Sequence, residues 1–170
     1  GHACKKGELN VCKWLHAHGA APDITKANKY GSTPMFIACM NGHLSVCEWL
    51  FEMGAAENIT KAGRSGATLM WIACSNGHLS VCEWLFEVGA AKDITKANKY
   101  GETPMFIACA KSHLSVCKWL VFKGALNTPP PDQHDDGHVD QAIVKRDTGA
   151  SWNGNRRPAL LAWAQDVAAT

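Results

Sequence analysis

The sequence predicts an all-α solenoid of stacked helix-turn-helix units, joined by extended arms or short hairpin turns. Three observations carry that prediction. A period of 35 residues runs through the chain: Gly31, Gly66 and Gly101 repeat at that spacing, as do Gly19, Gly54, Gly89 and Gly124. Whole stretches return with it, DITKANKYG at 23–31 and 93–101, TPMFIAC at 33–39 and 103–109, and NGHLSVCEWLFE at 41–52 and 76–87. Each period also holds two short segments with the apolar spacing of a helix. Such short helices are marginal alone, because nucleation costs more than a brief run returns, so each unit has to bury its apolar side against the next.

The elements of one unit, residues 31–65, follow in order. Thr33-Pro34 is a helix start, since a hydroxyl can cap free N–H groups and proline fits the first helical position. The first helix covers about 34–41, with Met35, Ala38 and Cys39 on one side. Asn41-Gly42 breaks it. A second helix spans 44–52, with Leu44, Val46, Cys47, Trp49 and Leu50 apolar and Ser45, Glu48 and Glu52 left for solvent. Ser45 and Glu48 have capping-box spacing, which an earlier helix start removes. Gly54 ends the helix in a left-handed conformation, and residues 55–65 form an extended arm and a tight turn.

This pattern resembles the ankyrin-repeat family. Gly31, Thr33, Pro34, Met35, Phe36, Ala38, Cys39, Gly42, His43, Leu44, Val46, Cys47, Trp49, Leu50, Phe51, Gly54 and Ala55 occupy that family's positions, and the likeness extends over residues 1–127. Three departures stand out. Phe36, Trp71 and Phe106 replace the family's histidine after Thr-Pro-Leu, so apolar stacking is expected in place of its hydrogen bonds. Leu69 stands where the third unit's proline should be, weakening that helix start. The extra residues of the long period fall after Gly-Ala, as Ala56-Glu57 and Ala91-Lys92, and should alter the base of each arm.

The organisation read from this is a partial unit at 1–30, full units at 31–65 and 66–100, and a further unit at 101–127. Residues 1–30 open inside a first helix, and Gly1 in place of methionine reads as a fragment with more repeats ahead of it. Pro129-Pro130-Pro131 begins an irregular insertion or loop at 128–155. Residues 156–170 form a degenerate capping helix starting near Pro158, or the opening of another domain.

Composition sets outer bounds. The chain of 170 residues is 46% hydrophobic and 19% charged, which is a folded rather than a disordered balance. Its 17 basic and 15 acidic residues give a net charge of +2, too small for a bulk field directed at nucleic acid or membrane. No run approaches the ~18 apolar residues of a membrane span, and no leader is visible, so a cytoplasmic or nuclear, intracellular setting with reduced cysteines is expected.

Residues that invite a chemical role are copied along the array, and copying argues against a single active site. Cys4, Cys12, Cys39, Cys47, Cys74, Cys82, Cys109 and Cys117 lie in pairs eight apart at interior positions, so they read as small core residues. A disulfide within each unit is the alternative, and their even spacing supplies no tetrahedral zinc cluster. His43, His78 and His113 open the second helices and read as histidines bonded to neighbouring backbone, since no nucleophile or acid stands beside them. Trp14, Trp49, Trp84 and Trp119 form a ladder expected in the core. His134, Asp135, Asp136, His138 and Asp140 could hold a divalent ion, but in a proline-bounded loop without a metal motif they read as linker. No cofactor or metal and no enzymatic activity are expected.

Function should then sit where the copies differ. The resemblance implies binding on the concave side, formed by arm tips and first helices. Those positions here are Lys29, Tyr30, Ser32, Ile37, Met40 and Asn41; Arg64, Ser65, Ile72, Ser75 and Asn76; and Lys99, Tyr100, Glu102, Ile107 and Lys111. Tyrosine, arginine and isoleucine suit an interface, and the basic row Lys29, Arg64, Lys99 favours a protein partner with acidic groups. That row is too short for tight binding to a phosphate backbone. The expectation is a monomeric protein-binding module or scaffold. The alternatives are nucleic-acid contact or metal-dependent activity centred on residues 128–170, and a purely structural spacer.

Overall fold

A computed structural model of the protein describes residues 1–125. Among them are eight α-helices: α1 (His2–Lys6), α2 (Leu9–Leu15), α3 (Pro34–Met40), α4 (Leu44–Glu52), α5 (Leu69–Ser75), α6 (Leu79–Leu85), α7 (Pro104–Ala110) and α8 (Leu114–Phe122). They pack in two layers. The first helices stack as α1, α3, α5, α7, the second as α2, α4, α6, α8, and within each unit the two helices face each other. The predicted spans 34–41 and 44–52 are met to within a residue. The insertion and cap expected at 128–155 and 156–170, with the carboxylate and histidine loop, lie outside the described residues.

Sequence chemistry explains the helix starts. Thr33, Thr68 and Thr103 are extended in backbone, and each hydroxyl accepts a hydrogen bond from the N–H three residues on, at 3.2 Å. Leu69 leaves the third unit's start in place, because Thr68 supplies the same cap and Leu69 itself is buried. The second helices begin at Leu44, Leu79 and Leu114 with no side-chain cap, so the Ser45–Glu48 capping box does not form.

The core is the side shared by the layers. Met35, Ala38, Cys39, Val46, Cys47 and Leu50 of one unit, and Met70, Ala73, Cys74, Val81, Cys82 and Leu85 of the next, are buried. All eight cysteines are free thiols. Their sulfurs meet in pairs, Cys4–Cys12 at 3.7 Å, Cys39–Cys47 and Cys74–Cys82 at 3.6 Å, and Cys109–Cys117 at 3.3 Å. Burial and the facing thiol hold Cys12 up at about 12, and the partner's hydrogen bond and burial raise Cys39 and Cys74 well above the ordinary thiol range.

The tryptophan ladder is only partly a core feature. Trp49 and Trp119 are buried and Trp84 half-buried, each meeting a ring of the preceding unit edge-on: His16–Trp49, Phe51–Trp84 and Phe86–Trp119 have centroids 5.6 to 5.9 Å apart. Trp14 departs from the expectation. It is 58% exposed and stacks on His18 at 4.1 Å.

The histidines join the units. Nε2 of His43, His78 and His113 lies 2.9, 3.1 and 3.2 Å from the carbonyl oxygens of Lys5, Met40 and Ser75, each in the preceding unit. Each ring also lies against a glycine of that unit. A methyl group on Gly7, Gly42 or Gly77 would sit 2.5 Å from the next histidine's Nδ1, and these glycines have φ between 72° and 75°. Glycine is therefore required twice over, for the left-handed turn and for the close approach.

The arms are altered at their base, where the extra residues of the long period fall. Ala55–Asn58 and Ala91–Ile94 form short 3₁₀ turns, which absorb the extra residues Ala56-Glu57 and Ala91-Lys92. Gly54 precedes the first with φ 106°, as its left-handed role requires.

Candidate functional site

The candidate face is built from three arm tips and the helices they precede. In the first tip Asn28 shapes the turn: its Oδ1 accepts from the N–H groups of Tyr30 and Ser32 at 2.9 and 3.0 Å, and its own N–H donates to Ser32 O. Asn98 repeats this with Tyr100 and Glu102. The effect is to lift the two tyrosines outward, Tyr30 to 69% and Tyr100 to 54% exposed. An asparagine whose side chain mimics a backbone turn is a recognisable signal two residues before Tyr-Gly. Asn28 and Asn98 carry that signal in this sequence.

The middle tip has Gly63 at the asparagine position. Gly63 N–H donates to Ala67 O and Gly66 N–H to Gly63 O, so backbone bonds close the turn, and Ser65 Oγ accepts from Ala67 N–H at 3.5 Å. The tips lie against one another. Lys99 N–H donates to Ser65 O at 2.9 Å, and a methyl on Gly66 would come within 2.9 Å of that same nitrogen. Arg64 lies across the first tip, its Nε 3.0 Å from where a Gly31 methyl would stand. Lys29 folds its ammonium to 5.0 Å from the Tyr30 ring centroid.

Among the anticipated contact residues, Lys29, Tyr30, Arg64, Ser65, Asn76, Lys99, Tyr100 and Lys111 are exposed, and Ser32, Ile37, Met40, Asn41, Ile72, Glu102 and Ile107 are half-buried. Ser75 is different. It is 4% exposed, and its carbonyl receives His113, so it belongs to the join between units rather than to the surface. Glu102 is braced: its carboxylate accepts from Asn98 Nδ2 at 2.7 Å, and its carbonyl oxygen accepts from Trp71 Nε1 at 2.9 Å. That last bond corrects the expectation that the aromatics replacing the family's histidine act by stacking alone. An indole carries a donor, and Trp71 directs it to the next arm. Asn41 and Asn76 turn their amide N–H groups back to Ile37 O and Ile72 O at 2.8 Å, ending the first helices.

The described residues contain no group of three or more His, Cys, Asp or Glu side chains placed to hold a metal ion. Nor does any described helix have the length and apolar character to cross a membrane.

Comparison with known proteins agrees with the geometry. A family profile described as Ankyrin repeats (many copies) matches residues 2–51, and one described as Ankyrin repeats (3 copies) matches residues 53–129. Among curated proteins none matches the chain. Repeats of this kind are generally protein-interaction modules and typically lack enzymatic activity. With its paired helices stacked in series and both profiles spanning the array, the chain belongs to the ankyrin-repeat family.

Proposed function

We propose that this protein is a binding module that recognises an acidic segment of a protein partner through its arm tips and the adjoining ends of α3, α5 and α7. The supporting observation is the row of tips. Tyr30 and Tyr100 stand outward on asparagine-built turns, and Lys29, Arg64 and Lys99 lie along the same edge, tied by the Lys99–Ser65 bond and by Arg64 against Gly31. Rigid aromatic surface with basic groups around it is the composition that carries binding energy in interfaces. Ile37, Ile72 and Ile107 form a half-buried apolar floor behind the tips.

Recognition of an acidic segment predicts strong dependence on charge. Replacing Lys29, Arg64 and Lys99 together by glutamate reverses the row, and like charges facing each other cost several kcal/mol, roughly, in an interface. The test is capture of partners by the intact chain and by the reversed variant, followed by titration of an acidic peptide from the captured protein at low and moderate salt. Loss of binding in the variant, and weaker binding of the intact chain as salt rises, would support the reading. Equal binding by both proteins would overturn it.

A further inference from the structure

We propose that Cys109 and Cys117 are a redox pair that a hydroperoxide closes to a disulfide, while the three equivalent pairs along the array stay reduced. The four pairs provide an internal comparison. Cys4–Cys12, Cys39–Cys47 and Cys74–Cys82 hold both members buried, with sulfurs 3.6 to 3.7 Å apart. Cys109 alone among the eight is half-buried, and its sulfur is the nearest to its partner, at 3.3 Å. A disulfide has sulfurs about 2.05 Å apart, so closure asks for an approach of roughly 1.3 Å by side chains on two helices already in contact.

The arrangement also assigns the two roles. Cys109 is reachable, and once it is a thiolate the Cys117 S–H is the donor of the pair, a hydrogen bond that holds Cys109 below the ordinary thiol range despite partial burial. Cys117 is 1% exposed and is raised by the same contact and by burial. Cys109 is therefore the attacking thiolate and Cys117 the resolving thiol. The Cys109 sulfur attacks the terminal oxygen of the hydroperoxide, the S–O bond forms as the O–O bond breaks, and the alcohol leaves with a proton. Cys117 then attacks the Cys109 sulfenic acid, the S–S bond forms as the S–O bond breaks, and hydroxide takes the Cys117 proton and departs as water. Two thiols lose two electrons in total, and one hydroperoxide is reduced to alcohol and water. Met105, whose sulfur lies 3.6 Å from Cys109, lines the pair without taking part in this exchange.

The test uses the full chain, dilute hydrogen peroxide and peptide mapping after alkylation of the remaining thiols. The expected result is loss of two hydrogens confined to a Cys109–Cys117 link, forming at least about tenfold faster than any link at Cys39–Cys47 or Cys74–Cys82, whose sulfurs open only with the fold. In the Cys117→Ser variant Cys109 should accumulate as a sulfenic acid that dimedone traps, and in Cys109→Ser the site should stay unmodified. Equal rates at all four pairs, links between separate chains, or protection of Cys109 equal to that of Cys74 would overturn the proposal. The rate comparison is made within the unmodified protein, so a variant that folds poorly does not decide it.

Discussion

Two glycine turns in each unit serve opposite ends. The turn between the helices is the same in the first three units: Gly7, Gly42 and Gly77 each receive the next unit's histidine ring, and the carbonyl oxygen two residues earlier lies within reach of its Nε2. The turn at the arm tip varies: Asn28 and Asn98 build it with a side chain in two arms, and Gly63 leaves it to the backbone in the third. The difference has a physical source. A turn that must fit a neighbouring unit is constrained by the neighbour's shape, so the three copies that receive a histidine are alike. A tip facing outward has only to hold its own loop and touch the adjacent tips, so its side chains are free to be chosen for something else.

The largest break in this comparison is at the inner turn. Gly42→Ala places a methyl group 2.5 Å from His78 Nδ1 and forces a non-glycine residue to φ 75°, so it should cost about 2–4 kcal/mol. Denaturant titration measures it, and a loss below about 1 kcal/mol would contradict the close fit between units. His78→Ala is next. It leaves the Met40 carbonyl oxygen without its 3.1 Å partner and empties the space against Gly42, for a loss of about 1–3 kcal/mol in the same titration. Equal losses at the arm tip from Asn98→Ala would erase the distinction between the layers.

A smaller effect in the other direction sharpens it. The fourth unit has Ser112 at the inner-turn glycine position, with φ 61°, where a side chain stands on the side that receives a histidine elsewhere in the array. Ser112→Gly should therefore stabilise the protein by about 0.5–1 kcal/mol, seen as a raised thermal midpoint, because it removes left-handed strain. A lowered midpoint would show that the Ser112 side chain contributes contacts of its own.

The smallest effect concerns Asp93. It is 5% exposed, Lys96 Nζ reaches its Oδ1 only at 3.8 Å, and its Oδ2 has no hydrogen-bond partner. Burial raises its carboxyl above the usual carboxylate range, with Lys96 opposing. The folded state thus binds this proton more tightly than the unfolded chain, and the charge destabilises the fold above the folded pKa. The preceding unit already carries Asn58 at this position. Asp93→Asn should add a few tenths of a kcal/mol, roughly, at neutral pH, with the gain fading as pH falls through the raised pKa toward the ordinary range. A gain that persists in acid would assign the effect to packing instead.

Much of this was legible in the sequence because a period is a strong constraint. The helix spans, the threonine caps, the cysteines placed in the interior and the left-handed Gly54 all follow from residues that recur at fixed offsets. What the period could not say was which unit a copied residue faces. His78 was identifiable as bonded to backbone, yet its partner, Met40 O, belongs to the preceding unit, and only packing reveals that. Trp14 occupies a core position by alignment yet is exposed and stacks on His18, a contact within its own unit that no alignment shows. Ser75 sits at a variable position that points into the join, and Trp71 uses an indole N–H that an expectation of apolar stacking leaves out. The tips were visible as variation, but Asn28 and Asn98, which shape them, recur unchanged in two arms and so carry no sign of variation.

The central claim is that copied residues hold the array together and the arm tips bind. The most direct measurement pairs partner capture with thermal unfolding for the chain carrying Tyr30→Ala, Arg64→Ala and Tyr100→Ala together. All three side chains are exposed, so the unfolding midpoint should stay within a few degrees of the unmodified protein, about what surface substitutions produce, while the captured partner is lost. Retention of the partner at undiminished affinity, with the midpoint unchanged, would contradict the account.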